Sequence, residues 1–337
     1  MKKSVWLPMC IFLLLACGIS YAQNNNKGDN YNLSQTMIRL CVISYYTDTN
    51  HRNQIVRNAV KEQLNMEVVW GPFELIDDFG VSYSSMFVAK GPHKGDYTVV
   101  IRGTNFSSLK SWFSEDFENH KAVKFRKFVK TAPEDAKIAK GICNGIVDLN
   151  SLKSKDKYSH NAVNFLIKER VNIKNLYVTG HSLGGTLTPP YYAYLCDKIF
   201  KGAAPGNSSP YSFAGLTAGN TGFNTFLQTY LQPANTNWRY VNPLDVAPNL
   251  WAGEDSIKTI YTAFFPYFKY EPPESDILGY LINRAKRNNY QQPPNSKFLL
   301  PVAFITSDTT NTWIKQAEYQ HHSGTYLGLV DSVARRK

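Results

Sequence analysis

The chain has 337 residues, 43% of them hydrophobic and 19% charged, with a net charge of +11. These proportions are those of an ordinary globular protein with room for one large domain or two small ones. Five cysteines in a chain of this length exclude a disulfide scaffold, so the core must hold itself together.

In chain order, Lys2 and Lys3 precede an apolar run over 5–16, and Ser20-Tyr21-Ala22 places small residues before Gln23. Residues 1–22 therefore read as a signal peptide. The apolar run is short for a membrane span. A second cut point competes, because "LLAC" ending at Cys17 resembles a lipoprotein box that would leave a lipid on Cys17. Either cut predicts an exported protein, secreted or periplasmic. Cleavage after Ala22 leaves Cys41, Cys143 and Cys196, enough for one disulfide at most. Residues 23–32 are polar and read as a flexible segment, followed by a single domain over 33–337.

A helix is expected over 33–47. Strands are expected over 67–76, 83–90 and 97–102, separated by the turn signals "DDFG" and "GPHKGD". Helices are expected over 107–118, 133–149 and 161–169. In the second of these, Ile138, Ile142, Ile146 and Leu149 share a face. Strands are expected again over 176–179, 211–216 and 238–242. The stretch 250–310 is rich in proline and aromatic residues and reads as loops and short elements. Strand and helix alternate from about residue 96, which predicts an α/β fold. Its mostly parallel sheet would carry helices on both faces and be led in by antiparallel strands.

Residues 121–130 carry Lys121, Lys124, Arg126, Lys127 and Lys130 with no acid among them. Such a run is either a solvated helix face or a contact for an anionic membrane surface. No nucleic-acid binding motif accompanies it, so no nucleic-acid partner is expected.

The chemistry concentrates in "NLYVTGHSLGGTL". A strand-like run ends in Gly-His-Ser-Leu-Gly-Gly, and a helix-compatible run follows. A G-x-S-x-G sequence between a strand and a helix places the serine on a sharp turn, with its hydroxyl exposed for attack. Ser182 is the expected nucleophile, and Gly180 and Gly184 allow the strand and helix to approach. His181 adjoins the serine, points elsewhere and reads as structural. A serine hydroxyl needs a base, an acid to orient that base, and donors for the oxyanion. The expected chain order is Ser, acid, His. Asp245 follows the 238–242 strand in a loop stiffened by Pro243 and Pro248. Only His321 and His322 lie beyond it. They sit in a loop entering a helix, with His321 the first choice and His322 the alternate. For the oxyanion hole, the backbone N–H of Leu183 and a donor at Thr104, in "VVIRGTN", are expected. No ligand-spaced His/Cys cluster is present, so neither a metal nor a cofactor is expected.

Five motifs in order, "RGTN", "GHSLGG", "FAGLTAGNTGFNTF", "NPLDVAP" and "QHHSGTYL", resemble the successive motifs of class 3 lipases, the fungal-lipase-like branch of the α/β-hydrolases. The resemblance spans about 33–330. It implies the α/β-hydrolase fold and a serine ester hydrolase acting on acyl lipids, with Ser182, Asp245 and His321 or His322 as triad. Thr104 and Leu183 would form the oxyanion hole. It also implies a lid helix at 107–117, with Leu109, Trp112 and Phe113 as its apolar face. A phospholipase A1, a short-chain esterase or an acyltransferase would use the same triad. A non-enzymatic surface or lipid-binding protein would keep the scaffold without the chemistry. Two departures stand out. Thr186 occupies a place where a small apolar residue is usual, and Pro189 and Pro190 fall inside the expected helix, where proline removes a hydrogen bond.

Overall fold

Alternation of side chains along extended backbone divides each central strand between two apolar layers. In the computed structural model, Val99, Ile101, Leu176 and Val178 face one cluster of buried residues, while Val100 and Tyr177 face another. The structure describes residues 31–46, 52–78, 82–91, 93–103, 121–153, 160–231, 238–251, 288–293, 297–299, 304–305, 307, 309 and 311–335.

Strands β1 (Glu67–Ile76), β2 (Ser82–Lys90) and β3 (Asp96–Arg102) are antiparallel neighbours. From β3 the sheet continues in parallel through β6 (Asn175–His181), β7 (Ser209–Phe213), β8 (Arg239–Val241) and β9 (Lys297–Phe298). A separate antiparallel pair joins β4 (Ala122–Lys124) to β5 (Lys137–Ala139).

Helices cover both faces of the main sheet. Residues of α1 (Tyr31–Ser44), α2 (Arg52–Leu64) and α8 (Ser323–Ala334) fill one layer. Residues of α3 (Lys140–Ser151), α4 (Ala162–Glu169), α5 (Leu183–Leu195) and α6 (Thr221–Gln228) fill the other. The last helix, α7 (Trp313–His321), runs directly into α8. This is the α/β-hydrolase arrangement expected from the sequence. The carboxyl ends of β3, β6, β7 and β8 lie along one edge of the sheet, where open α/β sheets place their sites. Among the described residues no helix is long and apolar enough to cross a membrane.

Several elements differ from expectation. Helix α1 begins at Tyr31, so the end of the polar segment is already helical. Helix α2 was not expected; its mean character is polar, and only Val56, Ala59 and Val60 are buried. The helix expected over 133–149 starts at Lys140, because Lys137–Ala139 pairs with β4 instead. The basic run is therefore not a helix face. It is a strand followed by a single helical turn at Phe125–Lys127. The β4–β5 pairing also folds Glu134 back against Lys124 and Arg126, so this basic cluster carries an acid that lies outside it in sequence.

Helix α5 passes through both prolines without interruption. Pro189 has no N–H to give the Gly185 carbonyl, and the Ser212 hydroxyl donates to that carbonyl instead, at 2.8 Å. Thr186 is used similarly. Its hydroxyl donates to the Ser182 carbonyl at 3.0 Å and accepts from the Leu216 N–H at 2.9 Å.

Candidate active site

The turn from β6 to α5 carries Ser182 at φ +63°, ψ −126°, a left-handed conformation that a non-glycine residue adopts only under constraint. The constraint comes from both sides. The Ser182 N–H donates to the Phe213 carbonyl at 2.9 Å, and its carbonyl accepts from Thr186 N–H at 2.9 Å. Close backbone packing demands the glycines. A Cβ on Gly180 would overlap the Gly184 backbone, and one on Gly184 would overlap the Ile101 carbonyl. A third glycine, Gly185, packs on the Phe213 carbonyl in the same way. The sequence reading did not single out Gly185, although the Gly-Gly doublet was its signal. The Ser182 hydroxyl is buried and makes no hydrogen bond among the described residues. Leu183 is the first residue of α5, where backbone N–H groups have no partner within the helix.

Gly103, at the end of β3, lies against this turn. A Cβ there would crowd the Ser182 Cβ at 3.1 Å. Thr104 follows it but lies outside the described residues, as do the lid expected at 107–117, the leader and Cys17.

Asp245 is fully buried four residues after Val241, the last residue of β8. Its Oδ2 accepts from His321 Nδ1 at 2.8 Å and from the Tyr326 hydroxyl at 2.7 Å. Its Oδ1 accepts from the Ala247 N–H at 2.9 Å. A carboxylate only accepts, so the imidazole proton sits on Nδ1 and Nε2 is left as the basic nitrogen. His321 is buried at the last turn of α7, not in a loop as the sequence suggested. His322 engages the following helix instead. Its Nδ1 accepts from the Gly324 N–H at 3.1 Å and caps α8. Partial desolvation, and then the neighbouring His321, lower its pKa.

His181 links the Ser182 turn to this pair. Its Nε2–H donates to the His321 carbonyl at 2.8 Å, and its Nδ1 accepts from the Tyr45 hydroxyl at 3.1 Å. Burial first, and the adjacent His321 second, push the His181 pKa well below 6.5, so the ring is neutral. The structural reading of His181 fits this placement. Tyr45 and Tyr326 were not singled out from sequence. Tyr326 lies in the quoted "QHHSGTYL"; Tyr45 carries no local signal.

The family model for class 3 lipases, "Lipase (class 3)", matches residues 98–254. This region is similar to class 3 lipases. The match includes Ser182 and Asp245 and ends before His321. The chain is also similar in structure to M37 lipase, at 25% sequence identity and a TM-score of 0.71, with 88% of this chain and 93% of that chain covered. Lip2 lipase from Yarrowia lipolytica shares the fold at 15% identity and a TM-score of 0.54, with 88% and 94% covered. No curated protein matches the chain. With its class 3 lipase region and lipase fold, this chain is an ester-hydrolysing enzyme.

Proposed function

We propose that this enzyme cleaves acyl esters of lipids through a Ser182–His321–Asp245 triad and an acyl-enzyme. The Asp245–His321 pair carries the reading: a buried carboxylate fixes the imidazole tautomer, and His181 ties that imidazole's backbone to the turn bearing a strained serine. In this mechanism His321 Nε2 takes the Ser182 proton as the oxygen attacks the ester carbonyl. The oxyanion sits against the Leu183 N–H and a donor at Thr104. Asp245 stabilises the imidazolium without taking its proton. His321 then gives the proton to the departing alcohol. It next removes one from water, which attacks the acyl-enzyme, and returns that proton to the Ser182 oxygen as the acid leaves. The triad itself is indifferent to the acyl chain and head group, so phospholipids and short-chain esters are tested as substrates beside triacylglycerols.

The reading includes export through a leader at 1–22, or anchoring at Cys17, and one hydrolase domain over 33–337. Contact with an anionic lipid surface through residues 121–130 would rely on the charge left after Glu134 pairs with Lys124 and Arg126.

The test is hydrolysis of short- and long-chain p-nitrophenyl esters by wild type and single variants. Ser182→Ala and His321→Ala are expected to lose at least about a thousandfold in kcat/KM, while His322→Ala stays within a few-fold of wild type. An inert wild type, or a Ser182→Ala protein with full activity, would overturn the reading.

A further inference from the structure

Asn242 is buried and every polar atom it owns is engaged. Its backbone N–H donates to the Tyr326 hydroxyl at 3.0 Å, and its backbone carbonyl accepts from the Asp245 N–H at 2.9 Å. Its side-chain Oδ1 accepts from the Leu244 N–H at 3.0 Å. Its Nδ2 donates twice to one residue, to the Gln320 backbone carbonyl at 3.0 Å and to Gln320 Oε1 at 2.7 Å. Gln320 immediately precedes His321, and Asn242 lies three residues before Asp245. A single side chain thus joins the loop that carries the acid to the helical turn that carries the base.

We infer that the Asn242–Gln320 amide pair is a positioning device that sets the register between Asp245 and His321, and so the aim of the imidazole. The inference rests on the proposed triad. Asp245 reaches His321 through one hydrogen bond, and that bond's length depends on where α7 sits along the 242–247 loop. The hydrophobic contacts of α7 with the loop, through Trp313, Ala317 and Val246, fix its distance but permit sliding. The two directed bonds from Asn242 Nδ2 do not. Displacement of a catalytic group by about an ångström costs on the order of a hundredfold in rate.

The geometry supplies a clean substitution and its control. Among the described residues Gln320 Nε2 makes no hydrogen bond, so Gln320→Met, close to it in shape, removes one bond there, that from Asn242 Nδ2 to Oε1. Gln316 lies one turn earlier on the same face of α7, is equally buried, and neither end of its amide has a partner among the described residues. Gln316→Met therefore perturbs the same helix packing without touching the clamp. Both substitutions leave Asp245, His181, His322 and Tyr326 in place, together with the buried Arg239 that acts on Asp245 and Tyr326.

The experiment measures kcat and KM on a p-nitrophenyl ester for wild type, Gln320→Met, Gln316→Met and Asp245→Asn, with a thermal melt of each. Gln320→Met is expected to lower kcat about ten- to a hundredfold at a KM within about twofold of wild type. A loss confined to kcat at unchanged KM is the mark of a displaced base rather than of a damaged binding site. Gln316→Met is expected to keep both kcat and KM. If Gln320→Met keeps kcat while Asp245→Asn loses activity, the positioning role is overturned and the triad stands. Equal losses in the two glutamine variants overturn it as well, since packing then explains them. An Asp245→Asn protein with full activity overturns the triad and the inference together.

Discussion

The hydroxyl of Tyr326 shows how much of a buried carboxylate's setting comes from other residues. Asp245 is buried and accepts three hydrogen bonds, one of them from this phenol. Burial, and then the charge of Asp245, raise the Tyr326 pKa well above its ordinary value, so the phenol stays a donor wherever the enzyme works. The same oxygen accepts from the Asn242 N–H. Tyr326→Phe removes both bonds and keeps the ring. Leaving a buried N–H unpaired costs about 1–3 kcal/mol, and the carboxylate loses a charge-assisted donor. The variant is expected to melt at lower temperature and to lose roughly tenfold in kcat at little change in KM, because Asp245 gains freedom to rotate away from His321. Steady-state kinetics beside a melt would check this. A kcat equal to wild type would show that the His321 and Ala247 bonds orient the carboxylate by themselves.

Where elements meet, backbone contacts decide. The elbow works because β6, α5 and the strands on either side touch through main-chain atoms at Gly180, Gly184 and Gly185. A methyl at Gly185 would meet the Phe213 carbonyl, which is itself held by the Ser182 N–H. Gly185→Ala must therefore move either the helix or Ser182. It is expected to cost on the order of 3 kcal/mol or more, whereas Gly202→Ala, with open space around it, should stay within about 0.5 kcal/mol. Urea titration of the two would separate them. An elbow variant as stable as the Gly202 variant would contradict the packing. Elements of this kind were largely legible in the sequence, since a strand stop, a G-x-S-x-G and an apolar helix are local patterns. The errors arose where local pattern met a distant partner. Lys137–Ala139 continues the apolar period of α3 but pairs with β4. Pro189 argued against a continuous α5, because nothing nearby reveals that Ser212 serves the Gly185 carbonyl.

At the scale of the whole molecule, contacts between remote segments complete the site. Asn242 and Gln320 are 78 residues apart, His181 and His321 are 140 apart, and Tyr45 reaches His181 across 136. The sequence named the candidate nucleophile, acid and base through their order, but not the struts between them, which have no spacing rule. One strut has a consequence for stability. His181 is buried and neutral, with its pKa pushed well below 6.5, and the partly desolvated His322 is shifted in the same direction. In the unfolded chain each histidine takes up a proton as pH falls through about 6.5. The folded protein resists that uptake, so below this pH the unfolded state binds more protons and stability declines. The contribution of His181 is thus complete above pH 6.5 and lost progressively beneath it, with a slope approaching 1.4 kcal/mol per pH unit. A His181→Gln protein, less stable at neutral pH through its altered contacts with Tyr45 and His321, should show a shallower decline. Urea midpoints between pH 7.5 and pH 5 would reveal it as two curves converging toward acid. Parallel curves would mean that His181 is protonated as readily in the fold as in the open chain, and that its bond to the His321 carbonyl does not depend on a neutral ring.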